Sequence, residues 1–263
     1  MQEDFLKEEY KGSCGESVEF VGLSFKDNSF EGYLHSKVKP KFDDTEWTDM
    51  LVKESVELTG FSADNLVEVF ENREMLNEWR IGELVAECVL EDKFKVRFYY
   101  NSSRDAKNLR SNLTGADLVG FCDIDNEVCF LFGEVKTSND TDTPPQVLYG
   151  KSGMIKQLES LKDYKEKRHE LVKWIASKSI VLKGKFKEEY GNAMCTYIKS
   201  GWNKVRLMGV LVRDTCPSDR DIRSRASALN NNVPNQMSLM LVSLYSGFAM
   251  NDSAWENAMN RGE

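Results

Sequence analysis

The segment 117–136 constrains the fold more than any other part of the sequence. It contains two apolar runs separated by Asp125 and Asn126, a residue pair that tolerates the positive φ angles of a two-residue turn. The segment is therefore predicted to form a β-hairpin. Apolar residues occupy both faces of its second strand as far as Glu134. Because such a strand is stable only when both of its faces are covered, we expect it to lie centrally in a buried sheet.

The rest of the pattern predicts both strands and helices. Strands are predicted at 17–25, 30–38, 94–100, 205–213 and 237–245, and helices at 46–58, at 64–90 with a break near Arg80, and at 151–178. The simplest architecture is an α/β fold with a mixed sheet and helices on both faces. We divide the chain into a small N-terminal α+β region, residues 1–63, and a larger domain, residues 64–263.

Several classes of protein are disfavoured by composition. No stretch approaches the ~18 consecutive apolar residues of a membrane helix, and four of the first nine residues are acidic, unlike a secretory signal. The six cysteines form no CxxC pair, and only two histidines are present, so neither a zinc site nor a histidine-based triad is favoured. We expect a cytoplasmic protein with reduced thiols and no membrane partner.

Charge is distributed unevenly along the chain. The net charge is −8, but residues 1–92 hold 23 acidic and 9 basic residues, a net −14, and the remainder carries +6. Basic residues are concentrated in 151–187, with eleven against four acidic ones, and at Arg220, Arg223 and Arg225. These clusters are either solvated surface or contacts for a phosphate backbone.

The hairpin register predicts a pair of facing carboxylates. If Asp125 and Asn126 are the two central turn residues, Ile124 pairs with Glu127, and counting outwards places Asp117 opposite Glu134. Lys136 then shares one face of the second strand with Glu134. A turn one residue longer would move Asp117 away from Glu134, and Asp123 or Asp125 would take its place in a different geometry.

Facing carboxylates favour a bound cation. Like charges opposite one another on paired strands are destabilising, and Mg²⁺ takes one or two carboxylates together with waters and phosphate oxygens. Lys136 could hold a phosphate or activate a water, so these residues predict metal-assisted hydrolysis of a phosphodiester. The alternative is structural: Glu134 and Lys136 form a solvated ion pair, and Asp117 merely begins its strand.

Together these residues resemble a known signature. Asp117 followed after sixteen residues by Glu134-Val135-Lys136 is similar to the D…ExK core of the PD-(D/E)xK phosphodiesterase superfamily, which implies a restriction-endonuclease-like fold and Mg²⁺ or Mn²⁺ as cofactor. The resemblance also implies a helical metal ligand, for which Glu83 is the better match and Glu87 the second, and a supporting glutamine, Gln157. The superfamily's proline before the aspartate is replaced by Ala116.

A second resemblance covers most of the chain. It rests on three runs and a Pro-Pro loop: Gly-Ala-Asp-Leu-Val-Gly-Phe (115–121), Gly-Glu-Val-Lys-Thr-Ser (133–138), Pro144-Pro145 and Gly-Lys-Ser-Gly-Met-Ile-Lys-Gln-Leu (150–158). These are similar to the HamA nuclease subunits of bacterial Hachiman anti-phage defence systems. The resemblance implies a metal-dependent DNase that is restrained by a superfamily 2 helicase, HamB.

Three hypotheses for function follow. The first is a DNA endonuclease or nickase in which Glu83, Asp117 and Glu134 bind metal, Lys136 orients or activates water and Gln157 supports the site. The second is a catalytically inactive nuclease-fold subunit that binds DNA or the helicase. The third is a cytoplasmic scaffold whose acidic first third is its functional surface. The intact Asp117, Glu134 and Lys136 favour the first.

Overall fold

A computed structural model of the chain describes residues 5–27, 29–70, 78–100, 115–181, 184–250 and 254–260. Its centre is a six-stranded sheet in the order β1-β2-β6-β5-β4-β3. The strands are β1 (Leu6–Cys14), β2 (Val18–Phe25), β3 (Leu118–Ile124), β4 (Glu127–Ser138), β5 (Val205–Arg213) and β6 (Ser238–Tyr245). The β1–β2 and β3–β4 pairs are antiparallel, and the other neighbours are parallel. The predicted mixed α/β sheet is confirmed.

Helices cover both faces of this sheet. They are α1 (Ser29–Tyr33), a π-helix (Leu34–Val38), α2 (Lys39–Asp43), α3 (Thr45–Thr59), α4 (Ala63–Phe70), α5 (Glu78–Phe94), α6 (Met154–Asp163), α7 (Lys165–Val181), α8 (Lys185–Lys199), α9 (Arg223–Leu229) and α10 (Ala254–Asn260). Short 3₁₀ turns lie at Gln146–Leu148 and Asp219–Asp221. One core packs α1, α5 and α10 against the sheet, and the other packs α6, α7, α8 and α9.

Strand β4 is buried on both faces, as the sequence predicts. Leu131 belongs to the core under α5, and Phe132 belongs to the core under α6 to α8; neither is exposed to solvent. The prediction that this strand is central is wrong, because its hairpin partner β3 forms the edge of the sheet and β4 lies next to it. The strand's other neighbour is β5, in parallel register.

The N-terminal strands belong to this same sheet. β2 pairs with β6 in parallel, with Val18 beside Leu239, and Val21 and Leu23 pack in the same core as Val210 and Val242. A boundary at residue 63 therefore does not separate two sheets. Non-local pairing of this kind leaves no local trace in the sequence.

Two predicted strands are wrong. Residues 30–38 form α1 and the π-helix, because Phe30, Tyr33, Leu34 and Val38 follow helical spacing and bury one face. Residues 94–100 form only a single bridge, between Arg97 and Phe121. The end of α5 occupies part of that segment, and the chain then turns at Lys95, which has a φ of 56°.

The long helix predicted at 151–178 is two helices, which meet at Tyr164. The buried guanidinium of Arg168 in α7 donates hydrogen bonds to the carbonyl oxygens of Leu161 and Lys162, at 2.6 and 2.9 Å. These carbonyls lie in the last turn of α6, where the helix offers them no amide partner. The Arg168 side chain of the second helix therefore caps the first.

In the predicted helix 64–90, residues 71–77 lie outside the described part of the chain.

The remaining predicted elements are confirmed. The helix at 46–58 is α3, which ends at Gly60 with a φ of 74°, and the strands at 17–25, 205–213 and 237–245 are β2, β5 and β6. All six cysteines are free thiols. Among the described residues, no helix combines the length and apolar character needed to cross a bilayer.

Candidate active site at the end of the β3–β4 hairpin

The hairpin has the register that the sequence predicts. Asp125 and Asn126 have φ angles of 53° and 62°, and Ile124 pairs with Glu127. The ladder runs to Leu118 opposite Gly133, so Asp117 and Glu134 are the next residues along the two strands of the hairpin. A carboxylate oxygen of Asp117 accepts a hydrogen bond from the backbone N–H of Val135, at 2.9 Å. This bond fixes Asp117 beside the strand that carries Glu134.

Glu134 and Lys136 form a close ion pair on one face of β4. The Lys136 Nζ lies 2.5 Å from Oε1 of Glu134. The Glu134 side chain is 2% exposed and that of Lys136 is 24% exposed. The pair continues the row of Phe130 and Phe132, both fully buried. An acid at the end of an apolar row is thus held out of water, and the lysine beside it still reaches solvent.

Glu83 reaches the same end of the hairpin from α5. A Cβ at Gly82 would lie 2.0 Å from Oγ1 of Thr137, so only glycine lets α5 approach β4 this closely. Glu83, the next residue, accepts a hydrogen bond from Arg80 at 3.0 Å. Glu87, the second candidate, is instead paired with Lys41 at 3.2 Å. The structure therefore brings Glu83, and not Glu87, towards Asp117.

The pKa values of the Glu134 and Glu83 carboxyl groups are raised. Burial, reinforced by the charge of Asp117, raises the pKa of Glu134 to about 8, although Lys136 opposes the shift. Burial and the same Asp117 charge raise the pKa of Glu83 to about 7, against the effect of Arg80. In both glutamates burial is the largest cause of the raised pKa and the charge of Asp117 is the second, and the nearby lysine and arginine offset only part of the shift.

Gln157 lies on α6, which packs over the same face of the sheet as Glu134. A Cβ at Gly209, the β5 residue in register with Glu134, would meet Leu158 at 2.8 Å and Met154 at 3.0 Å. Gln157 lies between these two α6 residues in sequence. Its Oε1 is buried and has no hydrogen-bond partner among the described residues. A buried acceptor of this kind needs a donor, which the described residues do not supply.

Met154 and Leu161, on the same helix as Gln157, are buried in the core. Tyr164, the residue after α6, is exposed.

Two residues of the site were missed by sequence reasoning. Arg80 is buried and holds Glu83; the helical spacing of three residues was a signal for this pair. The Tyr100 hydroxyl donates to the carbonyl oxygen of Asp117 at 3.2 Å and accepts from the N–H of Val119 at 3.3 Å. No local pattern relates Tyr100 to the hairpin, because the contact joins separate segments.

The donor set suits a hard divalent cation. Asp117 and Glu134 offer facing carboxylate oxygens, and Mg²⁺ commonly takes one or two carboxylates and completes its shell with water and phosphate. Burial contributes most to the raised pKa values of Glu83 and Glu134, and the charge of Asp117 adds to both. A cation bound here would offset the repulsion between these carboxylates. Among the described residues, no three acidic, histidine or cysteine side chains converge as a metal-binding group. Metal binding by all three carboxylates therefore stays a prediction.

The sequence matches no protein-family model, and no curated protein matches it.

Proposed function

We propose that this chain is a metal-dependent deoxyribonuclease of the PD-(D/E)xK type, with a restriction-endonuclease-like core, that cuts or nicks DNA. The observation that carries the proposal is the facing pair Asp117 and Glu134 with Lys136 2.5 Å from Glu134. A carboxylate pair that is short of positive charge, next to a lysine that reaches solvent, is suited to phosphodiester hydrolysis.

Each residue has a role in this proposal. Asp117 and Glu134 would hold Mg²⁺ or Mn²⁺, with Glu83 as the third acidic group, and the ion would supply positive charge at the phosphate oxygens. Lys136, which lies 2.5 Å from Glu134 and reaches solvent, would orient the attacking water. Gln157 accepts a hydrogen bond at the same face through its buried Oε1. Arg80 and Tyr100 position Glu83 and Asp117 without touching substrate.

The test is plasmid cleavage with Mg²⁺ or with EDTA. We expect nicked or linear product only with the ion, and none from Asp117→Ala, Glu134→Ala or Lys136→Ala. A matched control is Glu170→Ala, which removes an exposed acid on α7. Undiminished cleavage by a Glu134→Ala/Lys136→Ala double variant would falsify the assignment. Binding of DNA without any cleavage, alone or with the partner, would favour the inactive-subunit alternative.

We also propose that the protein acts as the effector of a bacterial anti-phage defence complex, restrained by a superfamily 2 helicase. An unrestrained nonspecific DNase would threaten the chromosome of its own cell. The N-terminal region offers a surface for such a partner. Residues 43–70 hold eight acidic residues and one basic residue, and α3 and α4 expose Leu58, which is 84% accessible, together with Val67 and Val69.

This surface combines apolar contact area with strong negative charge. A basic patch on a helicase would complement it, and charge complementarity mainly sets partner choice and association rate. Neutralising Asp49, Glu54 and Glu57 should weaken capture of the purified helicase and reduce its salt dependence. The matched control neutralises three exposed acids on α7 and α8: Glu166, Glu170 and Glu188. Equal capture by both triple variants would remove this surface from the interface.

A further inference from the structure

An exposed tyrosine and an arginine from distant segments form a stacked pair. The Arg225 guanidinium lies over the ring of Tyr149, with its carbon 5.0 Å from the ring centroid. Tyr149 belongs to the loop between β4 and α6, and Arg225 belongs to α9. The tyrosine remains 39% exposed. A large aromatic ring at the surface, already paired with a cation, is a common platform for nucleic-acid bases.

The two segments that carry this pair are joined at one edge of the sheet. The buried Arg213, at the end of β5, forms an ion pair with Asp221, which precedes α9. The same guanidinium donates to the carbonyl oxygens of Asp140 and Asp142, in the loop after β4. Both loops therefore leave the carboxyl ends of parallel strands and are tied together there. In open α/β sheets, ligands bind outside this edge, and Lys136 lies two residues from the end of β4.

The residues on either side of the pair are buried or closely packed. Leu148, the residue before Tyr149, is buried. A Cβ at Gly153 would lie 2.1 Å from the carbonyl oxygen of Tyr149, so the loop closes tightly on itself. On the other side, Ile222, Ala226 and Leu229 anchor α9 in the core. A ligand that stacks here would not need to order the platform first.

Positive charge surrounds the pair. Residues 149–156 and 219–225 together hold five basic residues and two acidic ones, a net +3. The two acids are already paired: Asp221 with Arg213 and Asp219 with Arg223. Lys151 and Arg220 are exposed. The surface thus offers an aromatic face within a field that attracts phosphates.

We infer that Tyr149 and Arg225 form a stacking platform for an unpaired nucleotide, so that the substrate of the proposed nuclease is single-stranded or locally melted DNA. This inference rests on the proposed function. A duplex keeps its bases stacked inside and can use only the charges of this surface, whereas a single strand can also stack a base. Lys151, Arg220 and Arg223 contact the backbone phosphates on either side.

The test measures binding separately from cleavage. The full chain carrying Glu134→Ala is titrated, in EDTA, against a labelled oligonucleotide as a single strand and as the matching duplex, by fluorescence anisotropy. We expect tighter binding of the single strand. Tyr149→Ala should weaken that binding about 5- to 150-fold, the range for loss of one stacked base, with little change for the duplex. Tyr149→Phe should retain it.

Two further variants test whether basic residues near the platform, and not basic residues elsewhere on the surface, contribute to binding. Arg220→Ala, at an exposed residue, should weaken the binding of both substrates and lower the slope of log affinity against log salt by about 1. Lys199→Ala, at the exposed end of α8, should change the affinity for neither substrate. If Tyr149→Ala weakened binding of the single strand and the duplex equally, or weakened neither, the inference would be overturned even if the parent protein cleaves plasmid. The expected binding pattern, with no cleavage of either plasmid or circular single-stranded DNA in Mg²⁺, would instead refute the nuclease and leave the platform standing.

Discussion

Replacing Glu134 with glutamine should stabilise the metal-free protein, and the gain should grow with pH. The Glu134 carboxyl is buried beside Asp117, which raises its pKa from the ordinary 4.5 to about 8. The folded protein therefore keeps this proton over a range in which the unfolded chain has lost it. Since stability falls with pH wherever the folded state binds more protons, Glu134 destabilises the fold progressively from about pH 4.5 to about pH 8.

The magnitude follows from the same values. Each pH unit between the two pKa values corresponds to about 1.36 kcal/mol, which gives an upper limit of about 5 kcal/mol. In the variant, Lys136 loses its carboxylate partner, but its side chain is 24% exposed and can be hydrated. We therefore expect a gain of about 2–4 kcal/mol at pH 8.5 and close to none at pH 5.

Urea denaturation in EDTA at several values between pH 5 and pH 8.5 measures this difference. Glu170→Gln, an exposed acid on α7, is the control, and its effect should stay small and constant. A difference between Glu134→Gln and the parent that does not change with pH would refute the reasoning, because no buried, proton-retaining carboxyl would then be present. The variant should also be inactive in cleavage, so stability and activity move in opposite directions.

Three further outcomes are expected. At pH 8, Mg²⁺ at about ten times its Kd should raise the melting temperature of the parent by about 3–6 °C, and calorimetry of Asp117→Asn should show no such rise if Asp117 is a ligand. Gln157→Leu should abolish plasmid cleavage and leave the thermal melt unchanged or raised, because its buried Oε1 has no partner to lose among the described residues; retained cleavage would make Gln157 a packing residue. Gly209→Ala should cost about 1–3 kcal/mol in urea denaturation, because its Cβ would meet Leu158 and Met154 under α6, whereas Gly191→Ala, with open space around it on α8, should be neutral or stabilising.

The local geometry of the candidate site could be predicted from the sequence. A two-residue turn at Asp125 and Asn126 fixes the register of the hairpin, and the period of two places Glu134 and Lys136 on one face. These rules act over a few residues and need no knowledge of the rest of the chain. The strands β2, β5 and β6 and the helix α3 were predictable for the same reason, since their apolar patterns are local. The structure of segment 30–38 was not predictable in this way. Its apolar residues fit both the alternation of a strand and the spacing of a helix, and packing against the sheet selects the helix.

Only the tertiary structure decided which distant residues meet. Val18 pairs with Leu239, and Arg225 stacks on Tyr149; neither contact has a signal in the intervening sequence. The close approach of Gly82 to Thr137 and the ion pair of Glu87 with Lys41 likewise join segments that are far apart in the sequence. The raised pKa of Glu134 likewise comes from burial under α6 and from Asp117, which are properties of the packed molecule. Sequence patterns determine what each segment can form, whereas burial and non-local contacts determine which charges share a site and how strongly they interact.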